Sequence, residues 1–177
     1  MVNVVLACCK NGGIGINNTL PWNIKAELEM FKIITNNSTI IMGYNTWASL
    51  PKKPLLNRTN VVLTRSKHKK EELLKNYDVI VLTSIEEAFE KYTNDQCYYI
   101  GGASIYNYLI QNNLITSLYI SVIHKDYNTD TKIDINKLHN LEHTIVSRQV
   151  FEDFTHLHIK YQTDAQLLNN PDQDQIH

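Results

Sequence analysis

The sequence predicts an α/β protein: a central, mostly parallel eight-stranded sheet with an antiparallel C-terminal hairpin at its edge, flanked by about four helices. Three observations carry this expectation. Short β-rich apolar segments recur along the chain, helical or loop-like stretches separate them, and the last two have no helical pattern between them. Alternating strand and helix makes βαβ crossovers and parallel neighbours, whereas two strands joined directly pair antiparallel.

The strand candidates are VNVVLA (2–7), TIIM (39–42), TNVVLT (59–64), DVIVL (78–82), CYYI (97–100) and LYISVI (118–123), followed by TIVSRQVF (144–151) and HLHIKYQ (156–162). Helical pattern covers 24–35, 84–92 and 104–111, and more weakly 44–50 and 68–75. Ser84 and Glu87 have capping-box spacing, which marks a helix start. KHKKEE (67–72) reads as a solvated helix start, and His156 and His158 as the polar outer face of a strand rather than a metal pair. Tyr98 and Tyr99 precede a Gly-Gly; one packs and the other faces the ligand side, and sequence does not decide which. No metal site is expected.

With 177 residues, 43% hydrophobic content and 20% charge, the chain is expected to form one domain over 1–162 with a polar tail at 163–177. A net charge of −1 supplies no general field for nucleic acid or an anionic membrane. There is no apolar run long enough to span a bilayer and no signal-peptide pattern, so a cytoplasmic protein and a monomer are expected. Cys8, Cys9 and Cys97 lie in apolar segments without disulfide or metal spacing and read as reduced core residues.

All six glycines follow strands: Gly12, Gly13 and Gly15 after the first, Gly43 after the second, Gly101 and Gly102 after the fifth. In a wound sheet the ligand crevice lies at the carboxyl ends of the strands, where the backbone must approach closely. NGGIGINNTLPW (11–22) lacks the third glycine of a dinucleotide fingerprint, and the Gly-Lys-Ser/Thr ending of a P-loop is absent. YIGGASIYNYL (99–109) is the better phosphate candidate, since a helix begins directly after its glycines; a plain strand-to-helix turn reads equally well.

Within NIKAELEMFKIIT (23–35), Ile24, Leu28, Phe31 and Ile34 make an apolar stripe and Glu27 falls inside it. Glu29 lies about 200° round the helix from Glu27, with Lys25 and Lys32 as ion-pair partners. A carboxylate against apolar walls has a raised pKa and seeks donors from a ligand. The bland alternative is a Glu at the stripe's edge whose head reaches water.

Taken together, NGGIGINNTLPW, ELEMFK, IIMGYNTWASLP, NRTNVVLTRS and YIGGASIYNYL resemble dihydrofolate reductase in order and spacing, over about residues 2–162. The resemblance implies reduction of dihydrofolate with NADPH, in support of one-carbon metabolism, and inhibition by antifolates such as methotrexate or trimethoprim. It makes residues 11–22 a mobile active-site loop. By the same resemblance Glu27 holds the pterin's N3 and 2-amino edge, Trp22 orients a water that carries the proton to N5, and Ser121 bonds the carboxylate. Val5, Ala7, Leu20, Phe31, Leu50, Leu55, Ile100 and Tyr106 would line the substrate, and Arg58 would pair with the α-carboxylate of its glutamate. Ala7, Ile14, Gly15, Leu20, Gly43, Tyr44, Asn45, Thr46, Leu63, Thr64, Arg65, Ser66, Ile100, Gly101, Gly102, Ala103, Ser104, Ile105 and Tyr106 would surround the cofactor. Arg65 would meet its 2′-phosphate, and the Gly101-Gly102 bond would be cis.

The sequence departs from the family at Tyr44, where a basic residue is common, at Ala103, at Asn57, where glycine is common, and at Ile133-Asp134. Two other readings are the pyrimidine reductase of riboflavin synthesis and a nucleotide-binding module without catalysis. Glu27 and Trp22 argue against the first, and Glu27 and Arg58 against the second.

Overall fold

In the computed structural model, which describes residues 1–162, the apolar segments become the strands of one sheet, whose central members are buried on both faces. β1 (Asn3–Cys9), β3 (Thr39–Gly43), β4 (Thr59–Leu63), β5 (Ile80–Leu82), β6 (Cys97–Tyr99) and β7 (Ser117–Ile123) are joined by parallel pairings. β10 (Phe154–Tyr161) runs antiparallel to β7, and β9 (His143–Val150) antiparallel to β10. The order across the sheet is β5-β4-β3-β6-β1-β7-β10-β9, which gives the eight strands and the antiparallel hairpin at the edge that were expected. The polar tail expected at 163–177 lies outside the described residues.

Strand periodicity sorts the core into two layers. Val5, Ile40, Met42 and Val62 face α1 (Lys25–Thr35), α2 (Tyr44–Ser49) and α3 (Lys67–Asn76), packing with Phe31, Trp47 and Leu73. Val4, Leu6, Cys8, Ile41 and Val61 face α4 (Ile85–Lys91), α5 (Ala103–Gln111) and α6 (Ile135–Asn140), packing with Ala88, Leu109 and Leu138. Six helices therefore stand where about four were expected. α6, absent from the sequence reading, is too short for a hydrophobic period and starts on an Asp134 cap that accepts from the Lys137 amide at 3.0 Å.

Two further short strands, β2 (Gly13–Gly15) and β8 (Thr131–Lys132), pair as a separate ribbon. α4 starts as its spacing predicted: Ser84 Oγ accepts from the Glu87 amide at 3.2 Å, while the Glu87 carboxylate reaches back to the Thr83 amide at 3.0 Å. The three cysteines are free and buried, and burial, with Cys9 adjacent, pushes the Cys8 thiol up to about 12. Tyr99 is buried in the α5-side layer, and Tyr98 turns to the α1 side, edge-on to Tyr119.

Two sequence expectations are corrected. Leu28, placed in the buried stripe of α1, is 46% exposed. His156, expected on an outer face, is 6% exposed, because the face it shares with Ser121 of β7 is turned inward, not to solvent.

Candidate active site

The site begins with Glu27. It lies in the first turn of α1, where the helix dipole favours a carboxylate, yet it is only 9% exposed. Beneath it, Ala7, Ser121 and His156 occupy one row across β1, β7 and β10. Burial raises the Glu27 carboxyl above the usual carboxylate range, and a hydrogen bond from the Ser121 hydroxyl pulls partly the other way. The ion pair of Lys32 with Glu29 leaves Glu27 without a lysine, as the helical spacing predicted.

Val5, Phe31, Leu50, Leu55 and Ile100 join one apolar cluster beside this carboxylate. Leu20, expected in the same wall, is 54% exposed on the 11–22 loop. Arg58 stands at the far end of α1 from Glu27. Its Nη1 donates to Thr35 Oγ1 at 3.0 Å and its Nε to the Leu56 carbonyl at 2.9 Å. Those two bonds occupy two of five N–H donors, and the rest of the fork has no partner among the described residues. Glu27 and Thr35 are eight residues apart, so the carboxylate and the guanidinium anchor are separated by about 12 Å along the helix axis.

The turn that presents Arg58 rests on a residue that gave no signal in the sequence. Buried Asn60 accepts from the Leu55 amide at 3.0 Å and donates to the carbonyls of Leu55 at 2.9 Å and Arg58 at 3.0 Å. Asn57 has φ of 57°, which accounts for asparagine where glycine would otherwise stand.

A second group of the expected residues gathers where α2 and α5 begin. Their N-caps are Gly43 and Gly102, neither with a side-chain cap. The Gly43 amide donates to the Gly101 carbonyl at 2.8 Å, which holds the two turns together, and the Gly101-Gly102 bond is cis. A Cβ on Gly102 would crowd Thr46 Oγ1 at 3.2 Å, whereas one on Gly43 would make only ordinary contact with Ile105 Cδ1 at 3.6 Å. The two joined glycine turns thus form a backbone cradle beside α5, whose first residues are Ala103 and Ser104. Backbone cradles of this kind suit a phosphate-bearing group.

Around this cradle, Leu63 ends β4, and the Thr64 amide is tied to the Leu82 carbonyl at 3.0 Å. Arg65 is exposed and has no ion pair among the described residues, while Ser66 caps α3. Asn45 is exposed on α2. Tyr44 carries Lys69 Nζ 4.1 Å from its ring centroid, so α3 brings a cation to the start of α2 that the sequence did not reveal. Tyr106 is buried in the core with its hydroxyl donated to the Val5 carbonyl at 2.8 Å.

The glycine loop is held by the β2–β8 ribbon. Asn17 and Asn18 have φ of 49° and 59° at the tip of a tight turn closed by paired Ile16 and Thr19 backbone bonds. The Asp130 carboxylate accepts from the Asn17 amide at 2.8 Å, and its own amide donates to the Gly15 carbonyl at 3.0 Å. Ile133, at the departure from the family pattern, is buried and donates its amide to Gly12 at 2.9 Å. Ile14 packs half-buried from β2 into the α5-side layer. Trp22 closes the loop, buried with Cys9, Ile123 and Phe154, and its indole N–H has no partner among the described residues.

A family model described as dihydrofolate reductase matches residues 1–166. The chain belongs to the dihydrofolate reductase family. Membership places it among the oxidoreductases. It is 32% identical over 156 residues to a dihydrofolate reductase of Ureaplasma parvum, a match spanning 87% of this chain and 93% of that protein. A putative dihydrofolate reductase of Caenorhabditis elegans is 29% identical over 180 residues, covering 91% of this chain and 93% of the relative. The bifunctional dihydrofolate reductase-thymidylate synthase of Paramecium tetraurelia is 35% identical over 135 residues, where the match spans 75% of this chain and 27% of the longer protein. No helix among the described residues is long and apolar enough to cross a membrane.

Proposed function

We propose that this protein reduces 7,8-dihydrofolate to tetrahydrofolate with NADPH, in the service of one-carbon metabolism. The observation that carries the reading is Glu27, a buried carboxylate flanked by apolar side chains, at the opposite end of α1 from a free guanidinium fork at Arg58. A ligand with a pair of adjacent N–H donors at one end, an aromatic middle and a carboxylate at the other matches that spacing.

Ionised Glu27 offers two acceptors to the pterin's N3–H and 2-amino group, a bidentate pair strengthened by low local dielectric. The Ser121 hydroxyl favours the ionised form and so offsets part of the effect of burial. Phe31, Leu50 and Leu55 enclose the aromatic middle and exclude water, and Leu28 and Leu20, exposed at the mouth, extend the apolar wall. The free N–H groups of Arg58 pair with the substrate's α-carboxylate.

The glycine cradle at Gly43, Gly101 and Gly102, with Thr46, Ala103 and Ser104, fits the pyrophosphate of NADPH, and Arg65 its 2′-phosphate, with the Lys69 ammonium nearby. When bound there, NADPH supplies a hydride to C6 of the pterin. Glu27 polarises the ring so that N5 accepts a proton, and the unpaired indole N–H of Trp22 is available to hold the water that delivers it. Antifolates that present the same pair of N–H donors would compete at Glu27.

Titrating folate and NADPH separately, then following NADPH absorbance after adding dihydrofolate, tests this reading. Binding of both and turnover support it. A folded protein that binds NADPH but no folate points to a module of another activity.

A further inference from the structure

The buried row beneath Glu27 contains a group that the proposed reaction has not used. His156 Nδ1 lies 3.2 Å from Ser121 Oγ; the serine is 2% exposed and the histidine 6%. The Ser121 hydroxyl also offsets part of the effect of burial on the Glu27 carboxyl. Ser121 thus stands between two polar side chains: His156 on β10, at hydrogen-bond distance, and Glu27 on α1, whose titration it influences.

We propose that His156 is a positioning residue for Glu27: its Nδ1–H donates to Ser121 Oγ and so turns the serine hydroxyl proton towards the carboxylate. This rests on the reading that Glu27 anchors the substrate. A serine hydroxyl has one proton to give, and a neutral imidazole has one N–H and one lone pair. If Nδ1 were the lone pair, it would compete with Glu27 for the serine proton. If Nδ1 carries the proton, serine accepts from it and its own proton is committed to Glu27. Protonating Glu27 allows the chain to reverse, with Glu27 donating to Ser121, Ser121 donating to Nδ1, and the imidazole proton on Nε2. No net charge crosses the chain, but the histidine tautomer reports the state of the carboxylate.

The surroundings keep the imidazole neutral, as this relay requires. Facing it are Ser121 and, through it, Glu27; Gln149 is its register partner on β9, and His158 lies two residues along on β10. His158 is committed elsewhere, stacked on Tyr119 at 4.2 Å with its Nε2 2.8 Å from Ser117 Oγ. Burial, reinforced by His158, holds the His156 pKa below the usual histidine value.

Two measurements test the relay. Nitrogen-15 NMR of the histidine rings at neutral pH should find His156 in the Nδ1–H tautomer, changing to Nε2–H as Glu27 takes up its proton. Folate binding, followed by tryptophan fluorescence against pH, should weaken as pH falls through the Glu27 pKa. In His156→Leu the midpoint of that loss should rise by about half to one pH unit, because the carboxylate loses an oriented donor. His156→Gln, which can still donate to Ser121, should move the midpoint back. An Nε2–H tautomer that persists at neutral pH, or a midpoint unchanged in a folded His156→Leu, overturns the proposal. If the wild type binds no folate, the reading of the site fails, and the tautomer measurement still decides the relay.

Discussion

Arg58 is tied to Thr35: its Nη1 donates to the threonine Oγ1 at 3.0 Å, so the last turn of α1 fixes the guanidinium while the first turn of the same helix carries Glu27. One rigid element sets the distance between the two charged ends of the crevice. Burial lowers the Arg58 pKa from its ordinary value, and even so the group stays charged.

From this arrangement, Arg58→Leu should raise the KM for dihydrofolate roughly 10²-fold, as loss of one partner of a hydrogen-bonded charge pair does. Thr35→Val removes only an anchor and should raise KM about 3- to 10-fold through one net hydrogen bond. In both variants kcat should change much less than KM. Steady-state kinetics with varied dihydrofolate checks this, and an unchanged KM in Arg58→Leu would separate Arg58 from the substrate.

Arg65 is exposed and unpaired among the described residues, just after β4 and near the start of α2, where Lys69 stands over Tyr44. Arg65→Ala should raise the KM for NADPH about 10- to 100-fold, the range of a charge-assisted bond, and leave NADH kinetics nearly unchanged. Parallel titrations of the two cofactors check it. An equal loss for both would assign Arg65 a role other than reading the 2′-phosphate.

Most of the frame was legible in the sequence, and the reasons are physical. Strands such as β1, β3 and β4 are apolar, β-branched and buried on both faces, so pattern alone marks them. Glu27 was legible because helical geometry puts it among apolar positions. The β2–β8 ribbon was not, since its three- and two-residue strands pair across more than a hundred positions and carry no periodicity. His156 was misplaced because alternation identifies two faces without saying which is covered. Asn60 and Lys69 were missed because their partners, Leu55 and Tyr44, are fixed by tertiary packing.

Burial of Glu27 has a stability consequence with a definite sign. Its folded pKa is raised above the unfolded value, so the folded state holds the proton more tightly. Stability is then greatest below the ordinary carboxylate pKa and declines as pH rises from there through the raised value. Glu27→Gln removes the buried charge and should melt at an equal or higher temperature than the wild type at pH 7, with the gain shrinking in acid. Thermal melts across pH check this, and a clearly less stable Glu27→Gln at neutral pH would contradict it.

The most direct measurement is NADPH consumption on adding dihydrofolate, compared between the wild type and Glu27→Gln at matched folding. Glutamine keeps the size of the side chain and loses the anionic acceptor pair, so kcat/KM should fall about 10²- to 10⁴-fold, with NADPH binding retained. A Glu27→Gln variant that reduces dihydrofolate at the wild-type rate would contradict the account at its centre.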